Sequence, residues 1–161
     1  MQKILTVKEA KIVAEEIRKN NKSIVLVGGC FDILHVGHLI FLEKAKKQGD
    51  VLFVLLESDS NIKKLKGKNR PINTHEDRAS LLEALKIVDY VILLPNLTMD
   101  NQYDEIIMQI KPSIIAITQG DSSMHHKERQ AKKVNGKVAV VTEIIKDQST
   151  TRLAELISKD L

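Results

Sequence analysis

The eleven residues Gly28–His38, reading Gly-Gly-Cys-Phe-Asp-Ile-Leu-His-Val-Gly-His, constrain this chain more than any other stretch. A β-branched apolar run, Ser23–Val27, leads into them as a strand would. A segment with helical periodicity, Leu39–Lys47, leads out. Two glycines therefore stand where a strand ends, and two histidines where a helix begins. Glycine lets the backbone approach a ligand closely. The free N–H groups and positive dipole end of a helix's first turn favour an anion. His35 and His38 are three residues apart, so on that turn they share a face. The combination predicts a phosphate site. It is not a P-loop, because Gly-x-x-x-x-Gly-Lys-Ser/Thr is absent, and it is not the Gly-x-Gly-x-x-Gly dinucleotide fingerprint. A metal site built from Asp32, His35 and His38 is short of the ligands a structural zinc site wants.

The rest of the chain supplies a frame for this loop. Thr6–Asn20 has the pattern of a helix laid against the core, and Val51–Leu56 is an unbroken apolar run, as in a strand buried on both faces. Glu57–Asn73 is polar and lysine-rich and reads as a partly ordered loop. Thr74 caps a helix predicted to reach Lys86 and to bury Ala79, Leu81, Leu82 and Leu85. Further strands are expected at Tyr90–Leu94, Ser113–Thr118 and Lys137–Val141, with helices at Tyr103–Ile110 and Met124–Val134. Ser149-Thr150-Thr151 is read as the cap of a last helix over 152–158. Strands alternating with helices imply right-handed parallel βαβ units. The expectation is an α/β fold: one Rossmann-like, doubly wound, five-stranded parallel sheet with helices on both faces. It forms a single domain over 1–161, with residues 1–22 as the N-terminal helix and 23–161 as the core. Ligands of such sheets bind beyond the carboxyl ends of the strands, where the loops after each strand converge.

Composition narrows the function. A net charge of +4 with interspersed acids and bases, no Trp and 3% aromatic residues argues against nucleic-acid binding and base stacking. Cys30 is the only cysteine, so no internal disulfide forms. No apolar run approaches membrane-spanning length and the N-terminus lacks a signal-peptide core, which predicts a cytoplasmic protein.

Gly29–His38 closely resembles the cytidylyltransferase-like nucleotidyltransferases, whose His-x-Gly-His motif holds nucleotide phosphates. The likeness extends along nearly the whole chain. Ser58-Asp59, Leu65-Lys-Gly-Lys-Asn-Arg-Pro-Ile-Asn73, Arg78, Ala84–Val91, Gly120-Asp121, Asn135–Val138 and Ser149–Thr151 look like the adenylyltransferase domain of bacterial ADP-heptose synthases. Two departures fall in loops expected to touch nucleotide or sugar phosphate. Val27-Gly28 stands where that group usually has Thr-Asn, and Thr118-Gln119 where it usually has Lys-Gly. The Arg-Thr-Glu-Gly segment typical of glycerol-phosphate and choline-phosphate cytidylyltransferases is replaced by Ile144–Asp147.

The resemblance implies transfer of a nucleoside monophosphate, with ATP favoured over CTP, to a phosphorylated sugar such as heptose 1-phosphate. Mg²⁺ accompanies the triphosphate, and the protein itself contributes no metal cluster. The implied catalytic residues are His35, His38 and Lys66. The implied nucleotide and phosphate contacts are Gly29, Cys30, Phe31, Asp32, Gly37, Lys64, Arg78, Gly120, Asp121, Ser149, Thr150 and Thr151. Asp32 is read as ordering the loop, and Cys30 as a small packing residue with no chemical step. The implied partners are the triphosphate, the phosphorylated acceptor and a second copy of the chain, with neither nucleic acid nor membrane. A non-catalytic nucleotide-binding regulator is the rival from another class, and the joint presence of His35, His38 and Lys66 weighs against it.

Overall fold

Leu26 on one side of a strand, and Val25 and Val27 on the other, are all buried, because both faces of that strand are covered by helices. The computed structural model describes residues 2–143 together with 152 and 153. In chain order the elements are β1 (Ile4–Thr6), α1 (Val7–Lys19), β2 (Ile24–Gly29), α2 (Val36–Lys46), β3 (Val51–Leu56) and α3 (Asp59–Lys66). There follow α4 (His75–Glu83), β4 (Tyr90–Leu93), α5 (Asp100–Ile110), β5 (Ile114–Thr118), α6 (Met124–Lys133) and β6 (Lys137–Thr142). The predicted Ser149–Thr151 cap, and all but the first two residues of the helix it would start, lie outside the described residues.

The strands form one sheet in the order β1-β4-β3-β2-β5-β6, and every pairing is parallel. Helices α1, α5 and α6 cover one face through Ala10, Ala14, Ile106, Ile110 and Ala131, over Leu26, Phe53 and Ile117. Helices α2 and α4 cover the other through Leu42, Ala45, Ala79 and Leu82, over Val25, Val27 and Val54. The sheet is therefore doubly wound, as the alternation of elements predicts. From β2 the chain steps outward to β3 and β4, then returns through α5 to place β5 on the other side of β2. The strand order thus reverses beside the carboxyl end of β2, the place where such sheets bind ligands. No helix among the described residues is long and apolar enough to cross a membrane.

Four local expectations are corrected. The sheet has six strands rather than five, because Ile4–Thr6 pairs with Val91–Leu93 before Thr6 caps α1. Only Ile4 and Leu5 are apolar there, too few for a strand pattern. Strand β2 extends through the glycines to Gly29, and α2 begins at Val36, three residues earlier than its apolar pattern does. The polar stretch after β3 holds α3 where a loop is expected. Ser58 caps it by accepting from the Asn61 N–H at 3.3 Å, Asp59 and Lys63, Lys64 and Lys66 suit its dipole, and Gly67 at φ 101° ends it. Finally, α4 stops at Glu83, and Leu81 is 45% exposed because Arg78, Ala79 and Leu82 occupy the buried face.

Candidate active site

The Gly28–His38 loop is held from beneath by the segment that leads into α4. The Asp32 carboxylate is fully buried. It accepts from Arg70 Nε at 2.5 Å and from the backbone N–H groups of Ile72 at 2.8 Å and Asn73 at 3.0 Å. Burial raises the Asp32 carboxyl, and the bonds from Asn73, Arg70 and Ile72 outweigh it, so the group is held below its ordinary value. Asn73 Nδ2 returns a bond to the Asp32 carbonyl at 2.5 Å. Phe31 takes a left-handed backbone, φ 46°, and buries its ring beneath Gly29. A Cβ at Gly29 would stand 2.8 Å from that ring.

On this base stand the two histidines. His35 is the N-cap residue of α2, and its carbonyl accepts from the N–H groups of His38 and Leu39. Gly37 and His38 lie on the first turn. The two imidazoles stack with centroids 3.9 Å apart, and the Phe31 ring lies 5.1 Å from His38. Burial, then His35 and Lys66, lower His38 to about 4 against a bond with the Ile33 backbone, and burial and Lys66 also lower His35. Both rings are thus neutral at pH 7, and Nδ1 of each is buried with no partner among the described residues. Lys66, on the last turn of α3, lowers both imidazoles and opposes the rise of the Cys30 thiol, so its charge is felt at the histidine pair.

Other implied contacts are not gathered there. Arg78 is 0% exposed. Its guanidinium donates to the carbonyls of Asn73, Cys30 and Glu57 at 3.2, 2.6 and 2.9 Å, and to Asp59 at 2.7 Å. Its donors are thus engaged with protein, and it ties β2, β3 and α3 to α4 from inside rather than facing a phosphate. Lys64 lines a separate pocket with Leu97, Met99 and Tyr103. Burial pushes the half-buried Cys30 thiol up, with Lys66 opposing and Glu57 adding, an environment that does not favour thiolate. After β5, Gly120 turns at φ 76°. Asp121 accepts from the Ser123 N–H at 2.8 Å and from Lys127 Nζ at 2.5 Å, which fixes the start of α6.

Beside the glycines, a cleft of about 400 Å³ opens toward α5 and α6. Leu26, Ile107 and Ile115 form part of its lining, and Gly28, Glu57, Tyr103 and Lys127 are among its other walls. The Tyr103 hydroxyl donates to Glu57 Oε1 at 2.8 Å, and Asn61 Nδ2 donates to Glu57 Oε2 at 3.1 Å. Burial and the Glu57 carboxylate push the Tyr103 phenol up. Sequence reasoning missed this group, because Glu57 and Tyr103 are 46 residues apart. The one available signal is that Glu57 directly follows a buried strand at its carboxyl end.

A doubly wound parallel sheet whose strand order reverses beside β2 defines the Rossmann-like α/β class. More particularly, residues 26–158 match the cytidylyltransferase-like family, and the chain belongs to it. That membership places it among nucleotidyltransferase enzymes. It is 40% identical over 147 residues to the bifunctional protein HldE of Nitratiruptor sp., covering 91% of this chain and 30% of that protein. It is also 40% identical over 157 residues to the HldE of Helicobacter hepaticus, covering 94% and 31%. The chain spans about a third of the length of the curated relatives it matches. A lipopolysaccharide core biosynthesis protein from Thermoplasma volcanium superposes with TM-score 0.62 at 29% identity, over 79% of this chain and 99% of that one. A pantoate-beta-alanine ligase from Francisella tularensis, at TM-score 0.63 and 16% identity over 99% and 77% of the two chains, shares the fold alone.

Proposed function

We propose that the chain transfers the adenylyl group of ATP to the phosphate of a phosphorylated sugar such as heptose 1-phosphate. A phosphate oxygen of the sugar attacks the α-phosphorus in line, the bond to the β-phosphate breaks, and pyrophosphate leaves. The observation that carries this reading is the stacked, neutral His35–His38 pair at the start of α2 under the charge of Lys66. Such a transfer needs positioned donors and neutralised charge, with no covalent nucleophile. His35 and His38 donate to oxygens on the α-phosphorus, the α2 N-terminus supports them, and Lys66 meets the leaving phosphates. The cleft beside Gly28 receives the sugar, with the Glu57–Tyr103 pair at its wall for hydroxyl groups.

Mg²⁺ enters on the triphosphate. Mg²⁺ commonly binds through one or two carboxylates together with substrate phosphates, so it would be held chiefly by the triphosphate. When bound, it neutralises the leaving pyrophosphate. The reading includes a homodimer in the cytoplasm. The resemblance of Leu65–Asn73 and Ser149–Thr151 to the adenylyltransferase domain of ADP-heptose synthases favours ATP, and Gln119 in the loop after β5 keeps CTP as the alternative. Pyrophosphate release measured with four triphosphates across a panel of sugar phosphates tests it. The expected result is turnover with ATP and a sugar 1-phosphate. A CTP preference replaces the adenylyl assignment, and no release with any pair overturns the reading.

A further inference from the structure

Behind the histidine loop, on the side of α3 that faces the start of α4, a further pocket of about 330 Å³ is lined by Lys63, Lys68 and Arg70, with Ser60 and Asp59 at its wall. Arg70 is only 9% exposed, yet its one side-chain hydrogen bond among the described residues is made by Nε to Asp32, and its Nη2 is buried with no partner. A buried guanidinium donor without a partner is rare and calls for an explanation. The carboxylate in the pocket does not supply one, because both oxygens of Asp59 are engaged, by Arg78 at 2.7 Å and by the His75 N–H at 3.3 Å. Three cations thus line a concave site whose carboxylate neighbours are already paired. A guanidinium fork beside two ammonium groups fits a tetrahedral oxyanion.

We propose that Lys63, Lys68 and Arg70 form a second oxyanion site, separate from His35 and His38, that takes a phosphate or pyrophosphate group. The anion occupies the donors Arg70 does not use, while Nε keeps Asp32. Arg70 then bridges the anion to the carboxylate that organises the Phe31 turn, so occupancy of this pocket bears directly on the histidine loop. The proposal stands on these side chains and does not depend on the transferase reading.

The test removes the first site and titrates the second. In a His35→Ala/His38→Ala background, inorganic pyrophosphate is titrated by calorimetry while backbone amide spectra are followed. Binding is expected to shift the Ile72 and Asn73 amides, which both donate to Asp32. Adding Lys63→Gln/Lys68→Gln is expected to weaken it at least tenfold. The charge-matched Lys8→Gln/Lys11→Gln pair on α1 is expected to leave it within twofold. Repeating the titration with glucose 1-phosphate separates the sources: tighter pyrophosphate binding assigns a free anion, and tighter sugar-phosphate binding a ligand-borne group. Equal affinity with and without Lys63 and Lys68, or binding that leaves Ile72 and Asn73 unshifted, overturns the proposal.

Discussion

Two regions converge on the imidazoles and are built in opposite ways. The turn below them is anchored by buried charge: Asp32 and Arg78 are fully enclosed, and each makes several hydrogen bonds. The arm above them, Lys63–Asn69, is exposed at every residue. The first holds geometry through charges paired within the fold, whereas the second is packed only through the preceding Ile62 and carries its charge on exposed side chains. Stability and catalysis are therefore separable here, and substitutions in the two regions should show up in different measurements.

The sharpest break is Asp32→Ala. Removing one partner of a buried pair leaves Arg70 uncompensated, at a cost of about 3–5 kcal/mol. Urea unfolding should show this loss, and a change below about 1 kcal/mol would mean the turn is not held as described. Next come His35→Ala and His38→Ala. Each should lower kcat by roughly 10²–10³ with a smaller change in KM, because a transition-state donor is removed. Unchanged turnover in both variants removes them from the chemistry.

The third effect is on acid stability. His38 titrates at about 4 in the fold, and an unfolded imidazole near 6.5. Between those values the unfolded chain binds more protons, so stability falls as pH falls, by on the order of 2 kcal/mol for this group. His38→Gln should flatten the profile between about pH 6.5 and 4, and an unaltered slope would refute the assignment. The paired carboxylates, with Asp104 lowered to about 2, act below that window. Smallest in stability is Lys66→Ala, expected within about 0.5 kcal/mol of the parent as an exposed substitution. It should nonetheless slow turnover and raise the His38 pKa, read by proton NMR, because a neighbouring positive charge is lost.

The same division explains what the sequence could reveal. Val51–Leu56 has the bounds its apolar run predicts, and the His35–His38 spacing brings both rings together at the start of α2, with His35 as its N-cap and His38 on its first turn. Periodicity reports burial, so it finds elements that bury an apolar stripe. Helix α3 buries Asn61 and Ile62 and leaves Leu65 exposed, and it is defined by a cap and a terminal glycine that apolar counting ignores. Arg78 shows the other limit. An arginine near a phosphate motif looks like a ligand until its donors are traced to Asn73, Cys30, Glu57 and Asp59, contacts between 5 and 48 residues away in sequence.

The adjacent glycines of β2 have a consequence for how this scaffold can change. A methyl group at position 29 would collide with Phe31, whose ring reaches His38, whereas one at position 28 would meet nothing within 4 Å and would project where the cleft is lined. Two neighbouring positions of identical composition thus differ completely in mutational freedom. Drift or deliberate redesign can resize the cleft through residue 28 one atom at a time while residue 29 keeps the imidazoles where they are. Gly28, where the resembling group carries asparagine, is the adjustable end of an otherwise fixed turn, and a natural entry point for narrowing the cleft.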